Sequence, residues 1–208
     1  MKKITIALVC MLLTAGAAMA QKKFTFGPKV AVDYTHFWGQ YVKHDGLFNY
    51  QAGLFMEYRF TDKISIAPEA VFAAQGGKSE MTFEGDVKKY TYNLNYINIP
   101  VMFKYYIIPA LSVDLGPQLG VNVYSKVTSK IKGSGSAESK NTTDNKDNTK
   151  TIDVGVGLGF TYNITEDVFV QGRYTLGLTK AFNYGDAYGL DYKNRKNGNA
   201  QIAIGYRF

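Results

Sequence analysis

The chain has 208 residues, 24 Lys and Arg against 17 Asp and Glu for a net charge of +7, and a single cysteine. That length suits one domain with an ample core, while one cysteine excludes a disulfide framework. Beyond residue 20 no run of about eighteen apolar residues offers a membrane-spanning helix.

Residues 1–20 read as a secretory signal peptide. Lys2 and Lys3 precede an apolar run from Ile4 to Met19, and the small-residue triplet Ala18-Met19-Ala20 predicts cleavage before Gln21. The rival reading, a lipid anchor on Cys10, is disfavoured by Ala7 three residues before it and by the apolar stretch that continues after it. Cleavage leaves residues 21–208 as one domain, removes the only cysteine, and lowers the net charge from +7 to +5. The positive surplus admits an anionic partner such as lipopolysaccharide. Nucleic acid is not expected for an exported chain with dispersed lysines.

From Phe24 onward the dominant period is two, the signature of strands with unlike faces. Phe24, Phe26, Pro28, Val30, Val32 and Tyr34 alternate with small or polar residues in a first strand. Tyr50 to Phe60 and Ile64 to Ala74 predict a hairpin across Thr61–Lys63, and Tyr96 to Tyr106 with Leu111 to Tyr124 a second across 107–110. Thr151 to Tyr162 and Val168 to Thr179 flank a break at 163–167, and AQIAIGYRF closes the chain as an eighth strand. Each strand has about nine to twelve residues, which suits a tilted bilayer crossing.

Short breaks alternate strictly with long polar connections at 36–49, 76–92, 126–150 and 180–199. This predicts an all-β, eight-stranded antiparallel up-and-down transmembrane barrel, with tight turns at one end and long loops at the other. The connection 126–150, rich in Gly, Ser, Asn and Lys, reads as a solvated mobile loop.

A soluble barrel would point its apolar set inward. Here the polar set contains Gly27, Gly53, Gly116, Gly120, Gly155, Gly157, Gly159, Gly177 and Gly205, which suits a narrow interior and not a water-facing surface. The apolar set also carries aromatics near both strand ends: Phe24, Phe26, Tyr58, Phe60, Tyr105, Phe160, Tyr162, Tyr206 and Phe208 at the turn end, and Phe37, Trp38, Phe48, Tyr50, Phe72 and Tyr92 at the loop end. Two belts are expected where a barrel meets the two interfaces.

The polar set then encloses Lys29, Arg59, Lys104, Arg173 and Arg207 with Asp33, Glu57, Glu69, Asp114 and Asp153. Confined charges must pair, so these ten predict a structural network across the lumen. Lys104 and Asp114, equally far from the 107–110 turn, are expected within salt-bridge reach. The alternative is that the charges line an ion pathway, although eight strands leave an interior just wide enough for side chains to fill.

Catalytic chemistry finds little footing. The histidines His36 and His44 lie in the first long connection with Asp33 and Asp45 nearby, but His44 and Asp45, as neighbours on an extended chain, point apart. Ser79 or Ser125 would have to approach from elsewhere for a lipid-modifying rim enzyme. GVGLGF continues a strand and opens no helix, so it is no nucleotide loop. No metal-ligand spacing appears, and no cofactor is called for.

Several of these segments, YINIPVMFKYY, DLGPQLGV, GRYTLGLT and the terminal Phe208, together resemble the small outer-membrane β-barrel domain family of Gram-negative bacteria, labelled porin-family or PorT-family proteins. The resemblance runs from about Phe24 to Phe208 and implies location in the outer membrane without known catalytic residues. It also implies that the final strand, with Ile204, Tyr206 and Phe208, is the signal read by the barrel assembly machinery, and it leaves room for a surface or secretion partner. The expected role is non-enzymatic, structural or surface-interacting through the outward loops, with lipid and lipopolysaccharide as surroundings. A narrow ion or solute channel is the second reading and a rim enzyme the third.

Overall fold

The computed structural model describes residues 23–39, 44–83, 86–132, 139–183 and 195–208. The expected signal peptide, residues 1–20 with Cys10, lies outside them, as does Gln21 after the expected cleavage site. Ten strands follow in chain order: β1 Phe24–Trp38, β2 His44–Asp45, β3 Leu47–Arg59, β4 Ile64–Phe83, β5 Asp86–Ile108, β6 Leu111–Lys132, β7 Ser139–Asp144, β8 Ile152–Asn163, β9 Val168–Gly177 and β10 Lys196–Tyr206.

Eight of them close a ring. β1, β3, β4, β5, β6, β8, β9 and β10 pair in that order, every pairing is antiparallel, and β10 returns to β1. Closure satisfies every backbone edge within a bilayer, where no water would do so. β2 and β7 are accessories that, among the described residues, pair with the outer parts of β4 and β6 respectively.

Period-two patterning sets the two faces. Along β8 exposure alternates almost without a break: Ile152, Val154, Val156, Leu158, Phe160 and Tyr162 face out, while Asp153, Gly155, Gly157, Gly159 and Thr161 face in. The apolar set is thus the outer surface; Ile202 of β10 is 75% exposed. Buried positions inside are largely polar, the inverse of a water-soluble core. Glycine permits the close approach of strands at the closing seam. A Cβ on Gly27 would lie 1.7 Å from the carbonyl oxygen of Tyr206.

The turns at one end use local side-chain capping. Phe60 N–H donates to Ile64 C=O at 2.9 Å, and the Thr61 hydroxyl accepts from Lys63 and Ile64 N–H at 3.2 and 3.1 Å. Thr165 repeats the device, accepting from Asp167 and Val168 N–H at 3.2 and 2.9 Å. Such hydroxyl turns close a hairpin without glycine.

Two of the four expected loops are instead largely strand. β4, β5 and β6 run 20, 23 and 22 residues, about twice what a tilted strand needs to cross a bilayer. The pairing of β4 with β5 continues to Phe83 opposite Asp86, and that of β5 with β6 to Val87 opposite Lys132. β7 pairs with β6 through residues 139–144, so much of the supposed mobile loop at 126–150 is ordered. Together these extensions form a four-stranded wall on one side of the barrel, above the membrane. Gly76 sits where β4 enters it, with φ of 142° and its α-carbon hydrogens against the Tyr92 carbonyl, a position that a Cβ would occupy at 1.9 Å.

Candidate functional site

Three regions carry the chemistry: a charged lower lumen, an aromatic upper lumen, and the outer wall. The lower lumen is built on inward positions of seven strands. Glu69 of β4 receives the Arg173 guanidinium of β9 through two hydrogen bonds, 2.5 and 3.1 Å, and pairs with Lys29 Nζ of β1. Lys29 also donates to Gln171 Oε1 at 3.2 Å.

A second carboxylate, Glu57 of β3, accepts from Tyr106 Oη at 2.6 Å and Ser65 Oγ at 2.8 Å. Lys104 Nζ lies 3.4 Å from it, and the Arg207 and Arg59 guanidinia 3.8 Å each. Lys104 reaches Asp114 Oδ2 at 4.0 Å across the β5–β6 ladder. Asp114 also accepts from Thr161, Ser112 and Gln171, at 2.5, 2.6 and 3.1 Å.

The ten expected lumen charges do not form one network. Asp33 accepts from Gln51 Nε2 at 2.9 Å, and Asp153 from Thr179 Oγ1 and Asn197 Nδ2 at 2.6 and 3.1 Å, so neutral donors hold both carboxylates. Arg59 stands at the turn-end mouth with its side chain 36% exposed, its guanidinium 4.3 Å above the Tyr106 ring. The reason is its position one residue before the β3–β4 turn, where water is within reach. Around it opens a vestibule of about 930 Å³ that reaches Glu57 and Arg207.

Neutral partners were missed from sequence. Gln51, Ser65, Tyr106, Thr161 and Gln171 share the inward parity of the charges, and that parity was the available signal. Phe55 and Phe169 also point inward, rings 5.0 Å apart and edge to face, with Arg207 4.6 Å over Phe169.

In the upper lumen, two residues expected in the loop-end belt face inward. Phe37 and Tyr92 are buried with Leu94, Tyr96, Ala181 and Phe182. Phe37 lies 5.8 Å from Tyr92 and 5.6 Å from Phe182, and Arg195 stacks 5.1 Å over Tyr92. Strand parity dictates this: Phe37 follows Lys29, Asp33 and Thr35 on the inner face of β1. Phe48, Tyr50 and Phe72 do face out at this level.

The C-terminal residues Ile204, Tyr206 and Phe208 line the outer face of the closing seam, and Phe208 N–H donates to Phe26 C=O at 2.8 Å. His36 does not converge with an acid among the described residues. His36 contacts Tyr174 Oη at 3.3 Å on the outside of β1, while Asp33 points into the lumen; Ser125 bonds to Thr149 at 2.7 Å. The His44 side chain lies outside the described residues.

A closed ring of eight antiparallel strands, apolar outside and charged within, with aromatics at both ends of its outer face, defines a transmembrane β-barrel of the outer-membrane type. Residues 19–183 match the outer membrane protein beta-barrel domain family, and the chain belongs to it; the structure adds the closing strand β10 beyond the matched span. The protein resides in the outer membrane. No curated protein matches the chain.

Among solved structures, Neisserial surface protein A is similar over 89% of this chain and 97% of its own, at 15% identity and TM-score 0.50. Ail, the attachment invasion locus protein of Yersinia pestis, matches over 89% and 99% at 15% identity and TM-score 0.46. CarO of Acinetobacter baumannii matches over 88% and 97% at 12% and 0.46. The likeness to the first is one of fold.

Proposed function

We propose that this barrel is a non-enzymatic scaffold that holds a rigid β wall above the outer membrane for surface interaction. The observation that carries the reading is the contrast between a lumen crossed by side chains and strands that continue well beyond the bilayer. Glu69 with Arg173 and Lys29 crosses the lower lumen, and the Phe37–Tyr92–Phe182 cluster crosses the upper. Strands of twice the spanning length exceed what a bilayer crossing needs, and the surplus suits a binding platform. The purified barrel reconstituted in planar bilayers is expected to stay electrically silent; discrete conductance steps would overturn this reading.

The vestibule at the turn end favours a second reading, a narrow channel entered from the periplasm. The same bilayer measurement decides between the two. A lipid-modifying rim enzyme is disfavoured because His36 and Asp33 lie on opposite faces of β1. Replacing His36 and His44 by alanine should leave membrane lipid composition unchanged. We also assign the outward residues Ile204, Tyr206 and Phe208 to recognition by the barrel assembly machinery, on the pattern of the last strand.

A further inference from the structure

The outer face of the wall carries rows of side chains set by strand register. Phe72, Ile97, Val121 and Ile152 form an apolar row of direct cross-strand partners on β4, β5, β6 and β8, and Val123 and Tyr124 of β6 are the last exposed apolar side chains above it. Beyond them the same face turns polar. One row joins Lys78, Thr91, Thr128 and Thr142, and the next joins Glu80, Lys89, Lys130 and Lys140 across β4, β5, β6 and β7.

Three lysines therefore stand side by side on adjacent strands. Directly opposed side chains in an antiparallel pair have Cβ atoms about 5 Å apart, and like charges there are destabilising. Within the row one carboxylate offsets them: Glu80 Oε2 lies 3.1 Å from Lys89 Nζ, both side chains about half exposed. Asp45 flanks Lys78 and Asp144 flanks Lys126, so among the described residues the face carries five lysines and three acids. A groove of about 640 Å³ runs along it, lined by Lys78, Lys89, Lys130, Thr91, Glu80 and Asp45. Thr128 and Thr142 hydroxyls meet at 3.1 Å beside it and keep donor capacity for a ligand.

Height decides what faces this strip. The lysine row is eight residues beyond the Ile97 row on β5, and the threonine row six. At about 3.3 Å per residue and a strand tilt of about 40°, that is roughly 15–20 Å above the Ile97 row, and roughly 10–15 Å above Tyr124, which stands four residues below Thr128 and six below Lys130 on β6. The headgroup zone adds only about 5–8 Å to the hydrocarbon. The strip thus stands above the lipid anchors and beside the inner saccharide of the surrounding outer-leaflet glycolipid.

Resting on the scaffold reading above, we propose that the Lys89–Lys130–Lys140 row, with Thr91, Thr128 and Thr142 beneath it, docks the phosphate groups of the inner saccharide of lipopolysaccharide in the same membrane. Lysine ammonium groups donate to phosphate oxygens as charge-assisted bonds, and threonine hydroxyls complete the anion's shell. The occupant is committed by position: this face is the upward continuation of the lipid-facing surface, and the neighbouring molecules of such a surface are the outer-leaflet glycolipids.

The test uses the folded full-length barrel in detergent, with folding verified by its heat-dependent gel mobility. Lipopolysaccharide bound per barrel is measured after gel filtration. The wild type should retain phosphorylated lipopolysaccharide, with retention weakening as salt rises. A variant carrying Lys89→Gln, Lys130→Gln and Lys140→Gln should bind about tenfold less or weaker still, and Glu80→Gln should bind more. Equal binding by the triple-glutamine variant, or equal binding of chemically dephosphorylated lipopolysaccharide, would overturn the proposal. So would displacement of lipopolysaccharide by heparin at equal phosphate or sulfate concentration, since the strip would then be addressed to a soluble sulfated glycan. A conducting barrel that still shows the lysine-dependent binding would refute the scaffold reading and leave this site standing.

Discussion

The rings of Phe26 and Phe208 lie 5.5 Å apart across the seam where the barrel closes, and the backbone N–H of Phe208 donates to the Phe26 carbonyl. Tyr206 adds a third ring 5.2 Å from Phe208. Deleting Phe208 removes one backbone bond and one half-exposed ring from a seam already pairing ten residues of β1 with β10. The finished barrel should therefore lose only about 1 kcal/mol, and its urea midpoint should shift little. If Phe208 is read during insertion, the folded fraction in outer membranes falls much further than that midpoint suggests. Parallel losses in both would reduce Phe208 to a packing residue.

The same seam depends on Gly27. A side chain there meets the Tyr206 carbonyl, which is backbone and cannot swing aside. Gly27→Val should force β1 away from β10 and leave most of the protein as the heat-insensitive, unfolded gel species. Gly172 is the control, because a Cβ there has nothing within 4 Å. Gly172→Ala should fold like the wild type, and stability should rise slightly through the unfolded chain.

These seam contacts show what period-two reading conveys. The inward parity of Lys29, Glu69 and Arg173 was legible from alternation alone. Their mutual pairing was not, because Glu69 and Arg173 are 104 residues apart and meet through the curvature and stagger of the closed barrel. The wall was missed for a different reason. Above the membrane the outward positions Lys78, Glu80, Lys89 and Thr91 are polar, so apolar alternation disappears from KSEMTF and VKKYTYN while Thr, Val and Tyr still favour extended backbone. Phe37 was misplaced because the first strand was ended at Thr35; carried two residues further, its parity points inward.

Glu69 holds two cations in a nearly water-free part of the lumen. Glu69→Gln keeps the shape but leaves Lys29 and Arg173 facing each other without their shared carboxylate. A loss of about 3–5 kcal/mol is expected for breaking a buried pair, read as a lower urea midpoint of the barrel in phospholipid vesicles. Replacing all three with Lys29→Met, Glu69→Leu and Arg173→Met should recover most of that loss, because no unpaired charge remains. An unchanged midpoint for Glu69→Gln would show that water already solvates this level of the lumen.

The aromatic cluster and the ion-pair cluster lie at different heights, since Phe37 is eight residues above Lys29 on β1. Truncating Phe37→Ala and Phe182→Ala together should therefore unseal only the upper lumen. Bilayers should remain silent, because Glu69, Arg173, Lys29 and Gln171 still cross the lumen below. Solvent access between the two levels should nonetheless change. Gln201 sits there, buried beside Gln51 at 2.7 Å. A Gln201→Cys reporter, combined with Cys10→Ser so that it is the sole thiol of the chain, should resist a small polar thiol reagent added outside intact cells. In the double-alanine background it should label readily. Labelling of the reporter with both phenylalanines in place would mean that water and small solutes already pass the aromatic cluster, and would move the seal down to the carboxylate of Glu69.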